Sequence, residues 1–421
     1  MRRIIVCLLM SVLSACNLGQ SDTTVTPIID GASTESQLVV AWVNAGDLMV
    51  WRTGDTLARR IASGGVVQAF VAPDTERVAF TRGAQGRAET LWVVDVAGTA
   101  EQQLIGERPN TYTPGENQIG DVLWLDGRTI YFNTLMQQAP YYTPLNDVYR
   151  VDVITREIAQ IARPSDGGRI TISPDGQHVI SVYHGTYQRQ DGVLRSMDLL
   201  GRDDPTNLLF FIGVSTASEF HFYPEIDWAN DATVLVAIPD ADLIYSDLEG
   251  GDTALTTLWQ IPIDAPSNRG IIGTVQASFF GLPQWSSDGQ HMSYLRRTGD
   301  SNLFTAYLAD GNGSNERAIF GGTIGEIAPP QWLPNSDSFI YALPTPEGNG
   351  SSQYFIASPT IEPMPLSDEA IYRLQFVSAN RYVYITDGNG RLDLRTTEID
   401  GESQFIGSLN SIPLFDAVYR E

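Results

Sequence analysis

Short runs of β-branched, aromatic and other apolar residues alternate with Gly, Pro, Asp and Asn from Leu38 to the C-terminus, and no segment carries a helical period. The pattern predicts an all-β chain. It also repeats. Residues 69–74 (AFVAPD) lead through a tight turn into 77–81 (RVAFT), followed by 91–96 (LWVVDV). Related turns recur at Asp126-Gly127, Pro174-Asp175-Gly176, Asn230-Asp231, Asp288-Gly289, Pro334-Asn335 and Ala379-Asn380, about 45 to 57 residues apart, most of them preceded by Trp or Phe. Pro presets φ, and Asp, Asn and Gly accept the left-handed conformations that a tight hairpin needs. Four antiparallel strands in each such interval make the repeat of a β-propeller blade.

Seven internal copies account for most of residues 38–421. The N-terminal runs 38–43, 47–52 and 57–61 read as second, third and fourth strands of a further blade whose first strand is missing, and 413–419 supplies it from the other end. The expectation is a propeller of about eight four-stranded blades, with seven as the fallback, closed into a ring by the N- and C-terminal strands. Closure removes the open sheet edges that would otherwise invite aggregation.

The first residues follow a different grammar. Met1-Arg2-Arg3 is a short positive region, residues 4–13 are apolar, and Leu13-Ser14-Ala15-Cys16 ends the run on small residues before a cysteine. This is the pattern of a secretory signal, too short to span a bilayer, which takes about 20 residues. The segment resembles the signals of bacterial lipoproteins. The resemblance implies that 1–15 is a signal peptide, that Cys16 is lipidated and becomes the first residue of the mature chain, and that the protein is extracytoplasmic, anchored to a bacterial membrane on its periplasmic or cell-surface side. Residues 16–37 are rich in Ser, Thr, Asp and Gly and read as a flexible tether to the propeller of 38–421. Cys7, the other cysteine, would leave with the signal.

The aromatic-Ser-Pro-Asp-Gly hairpins resemble the repeats of TolB-type β-propellers, relatives of the WD-repeat proteins. That resemblance implies a fold and says little of function, because the turn Asp and Gly residues serve the turn.

Charge narrows the chemistry. Against 50 Asp and Glu stand 26 basic residues, all of them Arg, for a formal charge of −24. Nucleic-acid binding is excluded, since phosphate neutralisation needs a basic surplus. Without lysine there is no phosphate-binding Lys, Schiff base or Ser-Lys pair. Four scattered histidines suggest no metal cage, and no cofactor is expected. No Gly-x-Ser-x-Gly or His-Glu-x-x-His motif occurs. The chain is therefore expected not to be an enzyme, with a glycosidase as the one catalytic alternative.

Candidate binding residues come from loop length. The longest second-to-third-strand connections are 134–146, 184–191 and 239–256, in three consecutive repeats, and 107–118 joins them on the same face. That sector would present Tyr112, Tyr141, Tyr142, Tyr187 and Tyr245 with His184, Asp240, Asp242, Asp247 and Glu249. Tyrosines offer contact area at small entropic cost, which suits recognition of a protein or peptide. The competing expectation is a carbohydrate-binding or glycoside-hydrolysing site that uses the loop carboxylates, and a third is a spacer within an envelope complex. The predicted partner is an envelope protein or peptide, or a glycan, met by a monomer. Asp310-Gly311-Asn312-Gly313 and Asp387-Gly388-Asn389-Gly390 are expected to be hairpin turns.

Overall fold

The structure, a computed structural model, describes residues 36–106, 117–138, 141–144, 146–164, 166–183, 191–213, 224–240, 253–278, 281–298, 303–323, 327–345, 350–388 and 390–420. Of the sequence features above, Cys16, Tyr112, His184, Tyr187, Asp242, Tyr245, Asp247 and Glu249 lie outside the described residues.

Among the described residues eight antiparallel blades follow one another along the chain, each running from an inner to an outer strand. Blade 1 holds β1 (Gln37–Asn44), β2 (Asp47–Arg52) and β3 (Arg59–Ala62). Blade 2 holds β4 (Val66–Val71), β5 (Arg77–Arg82), β6 (Thr90–Asp95) and β7 (Gln102–Ile105). Blade 3 holds β8 (Asn117–Trp124), β9 (Thr129–Gln138), the added hairpin strand β10 (Tyr141–Pro144), β11 (Val148–Asp152) and β12 (Ile158–Ala162). Blade 4 comprises β13 (Arg169–Ile172), β14 (Val179–Tyr183), β15 (Asp191–Met197) and β16 (Thr206–Ile212). Blade 5 comprises β17 (Glu225–Asn230), β18 (Thr233–Pro239), β19 (Thr253–Pro262) and β20 (Gly270–Ser278). In blade 6 are β21 (Gln284–Trp285), β22 (His291–Arg297), β23 (Leu303–Asp310) and β24 (Arg317–Thr323). Blade 7 is β25 (Gln331–Trp332), β26 (Phe339–Pro344), β27 (Ser352–Ala357) and β28 (Met364–Pro365), and blade 8 is β29 (Ile371–Phe376), β30 (Arg381–Asp387), β31 (Leu392–Glu398) and β32 (Gln404–Leu409). A single pair, Ser352 with Ile371, bridges blades 7 and 8.

The last strand, β33 (Phe415–Arg420), pairs antiparallel with β1 from Gln37↔Arg420 to Trp42↔Phe415 and so becomes the inner strand of blade 1. The expected closure by both termini is what the chain does, and the count is eight.

An apolar cluster fills each of the eight junctions between neighbouring blades, including that between blades 8 and 1, where Val383, Ile385 and Leu394 meet Leu38, Val40 and Trp42. The second strand of a blade is covered on both faces, so it reads as a continuous apolar run such as Val39–Trp42 or Val234–Ile238 rather than an alternation. Fully burying one Val, Leu, Ile or Phe contributes about 1.5–3 kcal/mol. A disc with such clusters all round needs no disulfide. Among the described residues no helix is long and apolar enough to cross a membrane.

Candidate functional site

The motif carboxylates are spent on the turns that carry them. In blade 4 the Ser173 hydroxyl donates to Asp175 Oδ1 at 2.5 Å, and the N–H of Gln177 reaches both Ser173 Oγ and Asp175 Oδ1. These bonds hold the Asp175 carboxyl below the usual carboxylate range. Blade 6 repeats the device with Ser286, Asp288 and Gln290. Asp310 accepts from Ser314 and Asn315 within its hairpin, and Asp387 accepts from the N–H of Gly390, so both Asp-Gly segments are turns. A cleft of about 800 Å³ opens on this turn side between blades 5 and 6 beside Asp288, His291 and Asp310; Asp288 and Asp310 are committed to backbone, hydroxyl and amide donors, and the exposed Asp337 lines the cleft as a third carboxylate. Among the described residues no three His, Cys, Asp or Glu side chains are placed to hold a metal ion.

The inner strands are tied to one another. Trp124 Nε1 donates to the carbonyl of Phe70 in the preceding blade at 3.0 Å, and Trp332 Nε1 to that of Gln284 at 2.9 Å. The N–H of Trp285 donates to Asp227 Oδ2 at 2.9 Å, from blade 6 to blade 5. Burial pushes the Asp227 carboxyl up to about 7 against that hydrogen bond, and the charge of Glu225 on the same strand adds to the rise. Glu225 is itself raised by burial, with Arg169 of blade 4 pulling the other way.

A second cleft, about 420 Å³, lies on the opposite side, where second-to-third-strand connections and interblade loops emerge. Gln68 of blade 2, Asp121 and Asn133 of blade 3 and Arg169 of blade 4 provide its polar wall; Val67, Ala88, Ile119 and Leu135 provide an aliphatic one. A β-bulge between Ile119 and Val122 forms the centre. There Gly120 leaves room for the Asn133 side chain: a Cβ at position 120 would lie 2.2 Å from Asn133 Oδ1. The bulge lets the N–H of Asp121 donate to Asn133 Oδ1 at 2.6 Å while Asn133 Nδ2 donates to Asp121 Oδ2 at 2.9 Å and to the carbonyl of Gly168 in blade 4 at 3.1 Å. Buried Asn133 thus holds Asp121 and joins two blades, whereas Asp121 itself is exposed in the cleft. Bulges redirect side chains in this way at the rims of sheets.

Next to Asn133, Thr134 donates its N–H and its hydroxyl to the two oxygens of the buried Asp147, at 2.8 and 2.6 Å. Burial raises the Asp147 carboxyl in spite of these bonds. The pair clamps the base of the β9–β10 hairpin, on which Tyr141 and Tyr142 sit opposite Gln138 and Gln137.

Of the sequence-predicted residues, Tyr141 and Tyr142 are therefore on β10 of blade 3, and Asp240 follows β18 of blade 5, exposed, with its N–H bonded to the Leu255 carbonyl. The connections expected to crowd one sector do belong to blades 3, 4 and 5. Asp240 does not line the cleft. Sequence reasoning missed Gln68, Asp121, Asn133 and Arg169, which are scattered over four strands; the one local signal was a glycine inside an inner strand.

No protein-family model matches the chain, and no curated protein is similar to it in sequence. Solved structures are similar in fold. A eukaryotic initiation factor superposes with a TM-score of 0.51 at 11% identity, over 92% of this chain and 98% of that one. The β-propeller domain of the Trilobed protease from Pyrococcus furiosus gives 0.44 at 12%, over 69% and 83%, and TolB from Acinetobacter baumannii 0.35 at 13%, over 80% and 64%. The expectation that this chain is not an enzyme is corrected by the same comparison. Similar structures include dipeptidyl peptidase 4 from Porphyromonas gingivalis (TM-score 0.49, 12% identity, 82% of this chain and 53% of that one) and an oligogalacturonate lyase in complex with manganese (0.45, 13%, 85% and 95%). This chain spans about half the length of that peptidase. Missing nucleophile motifs had suggested a chain without catalysis, but side chains gathered from several blades need no contiguous motif, and the fold gives no ground for excluding an enzyme.

Proposed function

We propose that the protein recognises a protein or peptide partner at the cell envelope through the loop-bearing side of its propeller, with the cleft of Gln68, Asp121, Asn133 and Arg169 as the anchoring point. One observation carries the reading: a bulge and a cross-blade hydrogen-bond network present a carboxylate on the side from which the three long connections emerge. Rigid strands then supply the anchor and the loops the contact area. The lipid on Cys16 would hold this surface at a bacterial membrane, outside the cytoplasm, with residues 16–37 as the tether. The reading concerns what is recognised and holds whether or not the bound ligand is turned over.

Glycan recognition is the weaker reading, because sugar rings stack their C–H faces on aromatic platforms and the apolar wall of this cleft, among the described residues, is aliphatic. Crosslinking in intact cells followed by affinity isolation tests the proposal. The wild-type chain should enrich a specific envelope protein that Asp121→Ala/Arg169→Ala loses while remaining folded by circular dichroism. Recovery of the same partners by both would overturn it.

A further inference from the structure

We infer that the cleft between blades 2 and 3 takes the guanidinium of an arginine side chain presented by the partner. The inference rests on the recognition reading above and gives it a chemistry.

Two polar atoms at the back of the cleft have no hydrogen-bond partner. Gln68 Oε1 is buried without a hydrogen-bond partner. Its cross-strand neighbour is Thr81, fully buried, whose hydroxyl also has no partner. In β5, Val78 and Phe80 pack towards blade 1 while Ala79 packs towards blade 3. Strand alternation therefore turns Thr81 to the blade 3 side, behind Gln68. Two adjacent polar atoms are thus left unmet at one spot, where native interiors pair nearly all such groups.

Beyond them stands Asp121. Its Oδ2 accepts one bond from Asn133, and a carboxylate has about four acceptor positions, so most of its capacity faces the cleft. The one cationic side chain on the lining, Arg169, stands next to Glu225 of blade 5, whose negative charge offsets it. A ligand that fits must bring several N–H donors, a positive charge and an apolar stem for Val67, Ala88, Ile119 and Leu135.

A guanidinium on three methylenes meets all three demands. Its planar fork addresses a carboxylate and a neighbouring amide oxygen together, whereas an ammonium is a compact point charge with three tetrahedral donors. The formal charge of −24 draws a cationic partner in and raises its encounter rate.

The test titrates the full folded propeller with acetyl-Gly-Arg-Gly-amide, with the citrulline peptide that keeps the shape and loses the charge, with the lysine peptide, and with free L-arginine, followed by nuclear magnetic resonance. The arginine peptide should bind about tenfold or more tightly than the citrulline and lysine peptides, the gap expected of a charge-assisted bidentate contact. It should also outbind free L-arginine, whose α-carboxylate adds a negative charge that this acidic protein repels. Asp121→Asn should lower affinity about tenfold, and Gln68→Leu, which removes the amide on the cleft lining, should lower it with no loss of thermal stability, since Gln68 Oε1 has no partner in the free protein. Equal binding of arginine and citrulline peptides, no binding at all, lysine equal to arginine, or an unchanged affinity in Asp121→Asn would each overturn the inference. Loss of the envelope partner by Asp121→Ala/Arg169→Ala without any arginine-peptide binding would leave the recognition reading standing and remove only the guanidinium. Peptide binding with the partner retained by that variant would do the reverse.

Discussion

Val71 and Asp416 are 345 positions apart, yet the N–H of Val71 donates to Asp416 Oδ2 at 2.6 Å. The bond joins the inner strand of blade 2 to the terminal strand β33 that completes blade 1, so the two ends of the chain are locked to its first full blade. Gln375 Nε2 on blade 8 reaches the carbonyl of Ala417 at 3.0 Å from the other side.

Asp416→Ala should therefore cost about 1–3 kcal/mol, the penalty for leaving an inner-strand N–H unpaired, and lower the melting temperature. Asp416→Asn, which keeps an acceptor oxygen, should cost much less. Equal destabilisation by the two substitutions, read by denaturant unfolding, would show that the hydrogen bond is not the cause.

Asp227 gives the ring a pH dependence of known sign. Its carboxyl is raised from 3.8 to about 7 in the folded protein, so the folded state holds a proton that the unfolded chain releases. The contribution is fully present below about pH 4, the unfolded value, and is lost as the pH rises through 7. Glu225 and Asp416 are raised too and act in the same sense. Melting temperature should fall between pH 5 and pH 8, and Asp227→Asn should flatten that fall and raise stability at pH 8. A wild-type profile that rises over this interval, or one the substitution leaves unchanged, contradicts the assignment.

Gly120→Ala should disturb the cleft selectively. The new methyl would meet Asn133 Oδ1 at 2.2 Å, and overpacking of this kind costs about 1–3 kcal/mol. Because Asn133 holds both Asp121 and Gly168, partner binding should weaken together with stability. Full binding in Gly120→Ala would mean that the bulge does not shape the site.

Lipid on Cys16 is the proposed anchor. Metabolic labelling with a fatty-acid analogue should mark the wild-type chain and leave Cys16→Ala unmarked and released from membranes. An unlabelled wild-type chain would remove the anchor and leave the propeller untouched.

What the sequence disclosed and what it hid divide along the range of the interactions. Each blade was legible because its turn is local chemistry: Ser173, Asp175 and Gln177 satisfy one another within five residues. Ring closure was legible because the first repeat lacked an inner strand that residues near 415 could supply. The cleft was not legible, since Gln68, Asp121, Asn133 and Arg169 meet only after three blades have packed. Taken one at a time they are polar residues in β-rich runs, and only Gly120, which a regular inner strand would not choose, marked the place. Loop length drew attention to Tyr141, Tyr142 and Asp240; the structure puts the first two on a hairpin clamped by Thr134 and Asp147 and leaves Asp240 at the end of another blade's strand.

The most direct test of recognition through this side is photo-crosslinking in intact cells from a photoreactive residue at position 67, on the lining of the cleft with Asp121 left in place, compared with one at position 337 on the turn side. The account predicts that position 67 captures a single envelope partner and position 337 does not. Capture of that partner from position 337 with none from position 67 would contradict it.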